Sequence, residues 1–371
     1  MKRLLCLLLV LSLLLVGCGK KTAEVEPTAA PTAAPTEAPT EAPTEAPTEA
    51  PTAAPTEPEP TEPPAPHNPL TGEPLEEYYT GRPVAFTINN ISVALPQSGL
   101  SELDWMFEAE TEGGITRCVG LLTDPANVGT LGPIRSARTY FVNLSLSYNA
   151  PIFHCGGSDY ALNGMYSETE SIDPSTWEHV NQMTNGSKYF YRDSRGGGYA
   201  LEHTLYSSGD RMAKAMEELG FNTNNGEPVS YGYQFAEAVD LNGQAAHEVD
   251  IVFRGGKTTT MEYDQETGLY KAHQYGSDWI DATTGENATF RNLLVVKAPQ
   301  SNPTGYHSFY ELGGSGDGWF AVDGQIVPVK WTHEDAKGPF QFALEDGTPI
   351  TLGIGSTYCA IMDVSGDVIA E

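Results

Sequence analysis

The spacing of apolar and polar residues divides the chain into two regions with different predicted structures. Up to residue 224, short apolar runs typical of strands, such as residues 82–90 and 115–122, alternate with stretches whose apolar residues recur at helical spacing. One helical stretch, residues 210–220, ends on a glycine. Strands that alternate with helices predict an α/β sandwich with a mixed sheet for residues 67–224.

From residue 225 to residue 371, short β-rich runs alternate with turn residues. Residues 318–322 and 325–330, for example, flank Asp323-Gly324, a dipeptide typical of hairpin turns. This pattern predicts a mainly antiparallel β domain, and the fold class of the whole chain is therefore α+β. Because hairpins pair strands that are close in sequence, we expect residues 223–371 to fold alone.

Residues 112–160 hold the densest set of candidate functional residues. Glu112-Gly113-Gly114 predicts a turn, and Arg117 lies in the strand that follows it. The run before the turn, residues 104–110, is either a strand of the same hairpin or a helical turn. Gly132-Pro133 is predicted to open a helix, because proline is tolerated in a first helical turn.

Two arginines, Arg135 and Arg138, fall in the first turns of that predicted helix. The helix dipole is positive there and disfavours cations, so the two side chains require an anion. The anion is either a ligand's or one of the protein's own carboxylates. Four candidate carboxylates are nearby in sequence: Glu108, Glu110, Glu112 and Asp124.

A glycine-rich turn, Gly156-Gly157-Ser158, follows a predicted strand at residues 150–155 and precedes another predicted helix. Free N–H groups in such a turn can hold an anion, and strand ends and helix starts tend to meet at one rim of a sheet. The sequence therefore predicts one ligand-binding site at this rim. Its candidate residues are Arg117, Arg135, Ser136, Arg138, His154, Gly156, Gly157, Ser158 and Asp159.

Three motifs in this stretch resemble the core motifs of the YerB-like bacterial lipoproteins. They are GGITR at residues 113–117, GPIRSAR at 132–138 and HCGGS at 154–158, and the resemblance runs from about Asn68 to the end of the chain. The family resemblance implies a lipoprotein with two domains of unknown function, and it implies no particular reaction. At Glu202-His203-Thr204 the chain departs from the family, which usually has proline before this histidine and asparagine after it.

The first 66 residues predict a lipid anchor and a spacer. Residues 1–18 read as a signal peptide that ends in Leu15-Val16-Gly17-Cys18, so Cys18 is the expected site of lipidation (palmitate). Residues 19–66 consist largely of Pro, Thr, Ala and Glu and are expected to be disordered, a tether able to reach roughly 130 Å. We therefore expect a membrane-anchored lipoprotein on the extracytoplasmic face of the cell membrane.

Charge and cysteine content narrow the possible partners. Residues 67–371 carry 40 acidic and 16 basic side chains, a net charge of −24, which excludes a basic nucleic-acid footprint. Cys118, Cys155 and Cys359 are an odd number at wide spacing, so we expect small buried residues and no disulfide framework. A Cys118–Cys155 bridge and a nucleophilic Cys155 beside His154 are the alternatives. No cofactor motif or metal-ligand spacing is present, so we expect neither group.

Three hypotheses for function remain open. The leading one is a lipoprotein that binds an anionic or polyhydroxy cell-envelope ligand, such as a cell-wall polymer. The second is a hydrolase or transferase acting on wall material, with His154 or His203 as the base and Asp159 assisting. No recognised catalytic motif supports it. The third is a non-catalytic scaffold for another envelope protein.

The lipid anchor gives a first testable prediction. Changing Cys18→Ala removes the residue that would be acylated, so the protein should move from the membrane fraction to the soluble fraction. Membrane fractionation of cells that express each form measures this. A properly processed variant that stays with the membrane would contradict the lipoprotein interpretation.

Overall fold

The computed structural model describes residues 65–158, 177–303, 305–334 and 338–371. The predicted signal peptide, Cys18, nearly all of the predicted tether, Asp159 and the helix expected after Ser158 lie outside these residues. Residues 62–371 form one compact unit. None of the helices in the described ranges is both long enough and apolar enough to cross a membrane.

The first region contains two α-helices among its described residues, α1 (Thr139–Ser147) and α2 (Gly209–Glu218). Its strands, in chain order, are β1 (Val84–Asn90), β2 (Trp105–Glu110), β3 (Thr116–Leu122), β4 (Thr130–Leu131), β5 (Ile152–His154), β6 (His179–Asn181), β7 (Tyr191–Arg192) and β8 (Leu205–Ser208).

The second region is built from strands and turns in the part that the structure describes. Its strands are β9 (Gln234–Ala236), β10 (Gln244–Ala245), β11 (Glu248–Val252), β12 (Thr258–Asp264), β13 (Leu269–Gln274), β14 (Ser277–Asp278), β15 (Thr289–Phe290), β16 (Asn292–Ala298), β17 (Gln300–Ser301), β18 (Phe309–Tyr310), β19 (Gly314–Val322), β20 (Gln325–His333), β21 (Gln341–Ala343), β22 (Thr351–Gly353), β23 (Thr357–Asp363) and β24 (Asp367–Ala370).

One eleven-stranded mixed sheet crosses both regions in the order β10-β20-β19-β16-β23-β2-β3-β1-β5-β6, with β21 added beside β20. The regions meet where β2 pairs with β23 in parallel, from Trp105 opposite Thr357 to Ala109 opposite Ile361. A second sheet, β14-β13-β12-β11-β24 with β15 beside β13, is antiparallel. The hairpins expected from the sequence at β2–β3 and β19–β20 are confirmed.

The large sheet has a hydrophobic core on each face, and both regions contribute to each core. Met106 belongs to the same buried cluster as Met261 and Tyr358, whereas its neighbour Phe107 faces the other cluster. This alternation is the two-residue period of a strand with both faces covered. The two regions therefore share their hydrophobic interior.

Polar contacts also join the regions. Both oxygens of the Asp281 carboxylate accept backbone hydrogen bonds from the first region, from Gly99 N at 2.9 Å and Ser101 N at 2.8 Å. The buried indole of Trp279 donates to Gln97 Oε1 at 3.0 Å. Because these groups are buried, separating the regions would leave them without partners.

The predicted fold class is confirmed only in its coarser part. The mixed sheet and the antiparallel sheets are present, but strands predominate and the described residues contain too few helices for an α/β sandwich. The helix expected to open at Gly132-Pro133 begins instead at Thr139. Residues before it are extended because their backbone pairs elsewhere: Asn89 N donates to Pro133 O at 2.8 Å and Ile134 N to Leu205 O at 2.7 Å.

The shared sheet changes what we expect of a fragment. Residues 223–371 alone should not melt cooperatively, because β23, buried along its whole length, would become an exposed apolar edge without β2. Circular dichroism and binding of a hydrophobic dye measure this, with residues 62–371 as the folded control. A sharp melt without dye binding would instead support independent folding, as the hairpin pattern suggested.

Candidate anion-binding site

The candidate site lies at one rim of the large sheet, where strands of both directions deliver polar residues. β1 and β5 run parallel and end here at Asn90 and His154, whereas the antiparallel β3 starts here. Arg117, the second residue of β3, pairs with Asn89 of β1 and Ala109 of β2. Arg117, at the start of β3, and His154, at the end of β5, therefore share a rim, as the sequence predicts for these two residues.

Two of the three motifs lie side by side along this rim. Cys155 N donates to Arg135 O at 3.0 Å, Ala137 N to Gly156 O at 3.0 Å and Ser158 N to Ala137 O at 3.2 Å. Ser136 joins them to the third motif, because its carbonyl accepts a hydrogen bond from Arg117 Nη1 at 2.7 Å. The predicted site residues within the described ranges are thus brought together.

Arg138 is held by a carboxylate. It is 8% exposed, and its Nε and Nη2 atoms donate to the two oxygens of Glu112 at 2.9 and 2.7 Å. The remaining Nη1 donates to Ala137 O at 2.8 Å. Glu112 is one of the four carboxylates that the sequence offered as partners. A bidentate contact of this kind is the strongest arrangement of a guanidinium and a carboxylate, and it neutralises the charge of the arginine.

The Glu112 carboxylate also has contacts from the second region. Its Oε1 lies 3.2 Å from His307 Nδ1 and accepts from Ser308 N at 3.3 Å. Burial alone would raise the pKa of Glu112, but the hydrogen bonds and charge of Arg138 lower the pKa to about 2. The carboxylate is therefore ionised at any physiological pH.

Arg135 is different, because its charge is only loosely paired. Its Nη1 lies 3.5 Å from Glu202 Oε2, with the two side chains 24% and 54% exposed. Its buried Nε has no hydrogen-bond partner among the residues that the structure describes. Arg135 precedes α1 by four residues and lies in the extended segment, so the helix dipole invoked from the sequence does not act on it.

The charge of Arg117 is the least balanced by nearby carboxylates among the three arginines Arg117, Arg135 and Arg138. It is 5% exposed, and no carboxylate of the described residues lies within 4.0 Å of its guanidinium; its hydrogen bond goes to the neutral Ser136 carbonyl. Burial, and then the positive charge of Arg138, lowers its pKa to about 9, and Arg135 adds to the same effect. We call Arg138, Arg117 and Arg135 the arginine row.

The glycine turn contributes less than the sequence suggested. Gly156 N donates to Asn181 Oδ1 at 2.9 Å and Ser158 N to Ala137 O, so these two amides are used inside the protein. Gly156 has a φ of +64°, and a Cβ there would lie 2.9 Å from Met183 Sδ, so the position favours glycine for its backbone. The turn mainly fixes the arginine segment in place.

His154 is fully buried and both ring nitrogens are in use. Nδ1 lies 2.7 Å from Gly156 O and Nε2 lies 2.9 Å from Nδ1 of His179. Burial lowers the pKa of His154 to about 3, so the ring is neutral, donates from Nδ1 and accepts at Nε2. Sequence reasoning missed His179, because only the parallel β5–β6 pairing brings it beside His154.

His203 is likewise occupied. Its Nδ1 accepts from Asn89 Nδ2 at 2.8 Å and its Nε2 lies 3.4 Å from Glu202 Oε1, while the residue is 4% exposed. Glu202 therefore contacts both His203 and Arg135. The departure from the family pattern at this position places a carboxylate at the outer end of the arginine row.

Free thiols are present at the three cysteines of residues 67–371. Cys118 and Cys359 are buried, as expected of small apolar residues, and Cys155 is half-buried with its Sγ 3.4 Å from Gln182 Oε1. Burial raises the pKa of the Cys155 thiol, which is the opposite of what activates a nucleophile. The structure thus contains no Cys118–Cys155 bridge, and His154 is engaged with other groups.

Comparison with known protein families places both regions of the chain in one family. Residues 70–222 match the family described as "Protein of unknown function (DUF3048) N-terminal domain", and residues 249–359 match its C-terminal domain. The chain belongs to this DUF3048 family. The resemblance inferred from the three motifs is therefore confirmed.

The YerB protein of Bacillus subtilis illustrates the match in both sequence and structure. The "Putative lipoprotein YerB" of Bacillus subtilis (strain 168) is 30% identical over 279 residues, which is 71% of this chain and 80% of the relative. A crystal structure of the YerB protein from Bacillus subtilis matches with a TM-score of 0.69 at 26% identity, covering 82% of this chain and 99% of that chain.

The contrast between Arg138 and Arg135 gives a stability prediction. Arg138→Met strands the Glu112 charge and should lower the free energy of unfolding by roughly 3–5 kcal/mol. The matched variant Arg135→Met removes only a loose pair and should change it by less than about 1 kcal/mol. Urea denaturation of residues 62–371 measures both changes. Equal losses of unfolding free energy in the two variants would contradict the conclusion that Arg138 is tightly paired and Arg135 only loosely.

The ion pair between Glu112 and Arg138 makes the stability of the protein depend on pH. The folded-state pKa of Glu112, about 2, lies below its ordinary value of 4.5, so its stabilising contribution is present above pH 4.5 and is lost as the pH falls towards 2. Arg138→Met should therefore flatten the acid limb of the stability profile, and Arg135→Met should leave it unchanged.

Proposed function

We propose that this protein is an extracytoplasmic lipoprotein that binds an anionic cell-envelope ligand at the arginine row. The observation that carries the proposal is Arg117, a buried guanidinium whose only hydrogen bond from the described residues goes to a neutral carbonyl. Burying a charge without a counter-charge costs several kcal/mol, so an arginine in this state is a strong candidate for a ligand contact.

The neighbouring charges support an external anion. Arg138 brings its own carboxylate, and Arg135 is only partly balanced by the exposed Glu202. The positive charges of Arg138 and Arg135 both contribute to the lowered pKa of Arg117. A phosphate or carboxylate at this point would accept charge-assisted hydrogen bonds from Arg117 and Arg135 together.

The relative's name and the N-terminal sequence support the proposed location. The Bacillus subtilis relative carries the word lipoprotein in its name, and residues 15–18 of this chain have the sequence expected before a lipidated cysteine. A lipid anchor and a long tether would place the arginine row among the polymers outside the membrane. Anionic polymers of the envelope are therefore the class of ligand that we propose.

The competing hypotheses gain less support. The hydrolase or transferase hypothesis gives the role of base to His154 or His203. Both rings are buried, and each has a polar group within 3.4 Å of both of its nitrogens. A scaffold role would require an exposed contact surface, whereas Arg117 and Arg138 are 5% and 8% exposed.

Binding to poly(glycerol phosphate), a soluble anionic polymer, tests the proposal. Titration calorimetry of residues 62–371 at 0.15 M salt should show binding that Arg135→Ala and Arg117→Met each weaken at least about tenfold, because charge-assisted hydrogen bonds are lost. Arg117→Met should also leave the melting temperature unchanged or higher, since it removes a buried charge that has no carboxylate of the described residues within 4.0 Å.

Arg211→Met is the matched control for a change of one charge. Arg211 lies on α2, and its contacts are Lys188 O and the ring of Tyr191. The affinity of the Arg211→Met variant for poly(glycerol phosphate) should stay within about twofold of that of the unaltered protein. No heat of binding, or equal weakening by all three variants, would contradict the arginine row as the site. A large fall in melting temperature for Arg117→Met would show that Arg117 stabilises the fold, and would count against its role in ligand binding.

A further inference from the structure

A second concave surface lies in the other half of the molecule, on the face of the large sheet formed by β16, β19 and β20. It is a groove of about 540 Å³ whose lining includes Lys297, Asp317, Trp319, Pro328, Lys330 and Glu345. We call it the Trp319 groove. Its volume is within the range of ligand sites, roughly 300–1,000 Å³.

The groove begins where the antiparallel second sheet stops covering this face. Three cross-strand rows show the change. Leu293, Ala321 and Ile326 form the first row and are buried in a core that includes residues of that sheet. Val295, Trp319 and Pro328 form the second row. In the third, Asp317 pairs with Lys330, and Lys297 lies on the same face because it is two residues from Val295.

Trp319 stands apart from the other tryptophans. All five tryptophans of the chain lie in the part that the structure describes, and four of them are buried with exposed fractions of 0–6%: Trp105, Trp177, Trp279 and Trp331. Trp319 alone is half-buried, with one part of the ring on the core and the rest open to the groove. An indole in this position is a flat apolar platform beside polar groups.

The polar row beside this platform is held rigidly from below. The buried indole N–H of Trp331 donates to the backbone carbonyls of Lys297, at 3.2 Å, and Asp317, at 3.0 Å. Its ring lies against Gly316, where a Cβ would approach the Trp331 ring to 2.6 Å. The backbone that carries the groove's charged residues is therefore fixed before any ligand arrives, which lowers the entropy cost of binding.

The charges of the groove identify the class of ligand. Two lysines and two carboxylates line it, so their charges sum to zero, and Lys330 pairs with Asp317. This neutrality is local, because residues 67–371 as a whole carry −24. Paired lysines and carboxylates offer both donors and acceptors, as a hydroxyl-rich neutral ligand requires.

We propose that the Trp319 groove binds a neutral saccharide chain, with one sugar ring stacked on Trp319 and its hydroxyls hydrogen-bonded by Lys297, Asp317 and Lys330. This site is independent of the arginine row. It differs from it in ligand charge, in region and in the residues used, so either site can fail a test without the other.

Fluorescence reports this site directly, because Trp319 is the one indole that solvent reaches appreciably. Residues 62–371 are titrated with the tetrasaccharide of N-acetylglucosamine and, separately, with a neutral glucan tetrasaccharide, while acrylamide quenching is recorded. Binding should lower the quenchable fraction and shift the emission to shorter wavelength. Trp319→Leu should remove this change and weaken binding, followed by calorimetry, about tenfold.

A second variant covers the case in which Trp319→Leu unfolds. Asp317 and Lys330 are 74% and 56% exposed, so Asp317→Ala with Lys330→Ala leaves the core intact. It should weaken binding about threefold to tenfold while the melting temperature stays the same.

Three results would overturn the proposal. One is no change in quenching with either saccharide at about 10 mM. Another is full binding by both variants. The third is a dimer in sedimentation that Trp319→Leu dissociates without any saccharide effect, which would make the groove an interface between copies of the chain.

Discussion

The buried ion pair between Glu108 on β2 and Lys257 before β12 is the contact on which the joining of the two regions depends. Their side chains are 0% and 3% exposed, and Nζ lies 2.5 Å from Oε1. Tyr358 of β23 donates to the other carboxylate oxygen at 2.6 Å, and Thr259 does so at 2.8 Å. Burial alone would raise the pKa of Glu108, but the charge of Lys257 and hydrogen bonds that include those from Lys257 and Tyr358 lower it, so the carboxylate is ionised. A one-residue slip of β23 would turn Tyr358 to the opposite face and break this network.

The β2–β23 register set at this point also builds the rim that carries the arginine row. Parallel alignment brings the end of β2 beside the second region, where Gly255 N donates to Glu110 Oε2 at 2.6 Å. A Cβ on Gly114 would lie 3.2 Å from the Gly255 backbone, so the two turns approach as closely as glycines allow. Glu112, in the same turn as Gly114, then accepts from Ser308 N while holding Arg138. The second region therefore positions the arginine row through one carboxylate.

Sequence patterns predict the local part of this structure and miss the long-range part. Strand β3 lies within the apolar run at residues 115–122, and the Asp323-Gly324 turn lies where the hairpin pattern predicts it, because both depend on neighbours in sequence. Gly132-Pro133 fails as a helix start because distant carbonyls and amides claim the extended backbone, a tertiary effect that outweighs local preference. The type and spacing of the arginines were enough to predict a site. The sequence could not show which arginine is paired, because Glu112 contacts Arg138 and Glu202 contacts Arg135 only in the folded chain. Lys257 carried no sequence signal for the same reason.

The net charge of −24 over residues 67–371 constrains how each proposed site can work. At physiological ionic strength, charges more than about 8 Å apart are largely screened, so the body repels an approaching anion only weakly. At contact distance salt screens the interaction much less, so the buried charge of Arg117 can attract a contacting anionic group strongly. Recognition of an anion at the arginine row must therefore come from contact rather than from long-range steering, which would favour a ligand already held nearby in the same envelope. A neutral saccharide at the Trp319 groove meets no such repulsion, because the local charges cancel and a neutral chain does not respond to the field of the body. An acidic protein can in this way combine a charge-selective contact with a neutral one without either opposing the other.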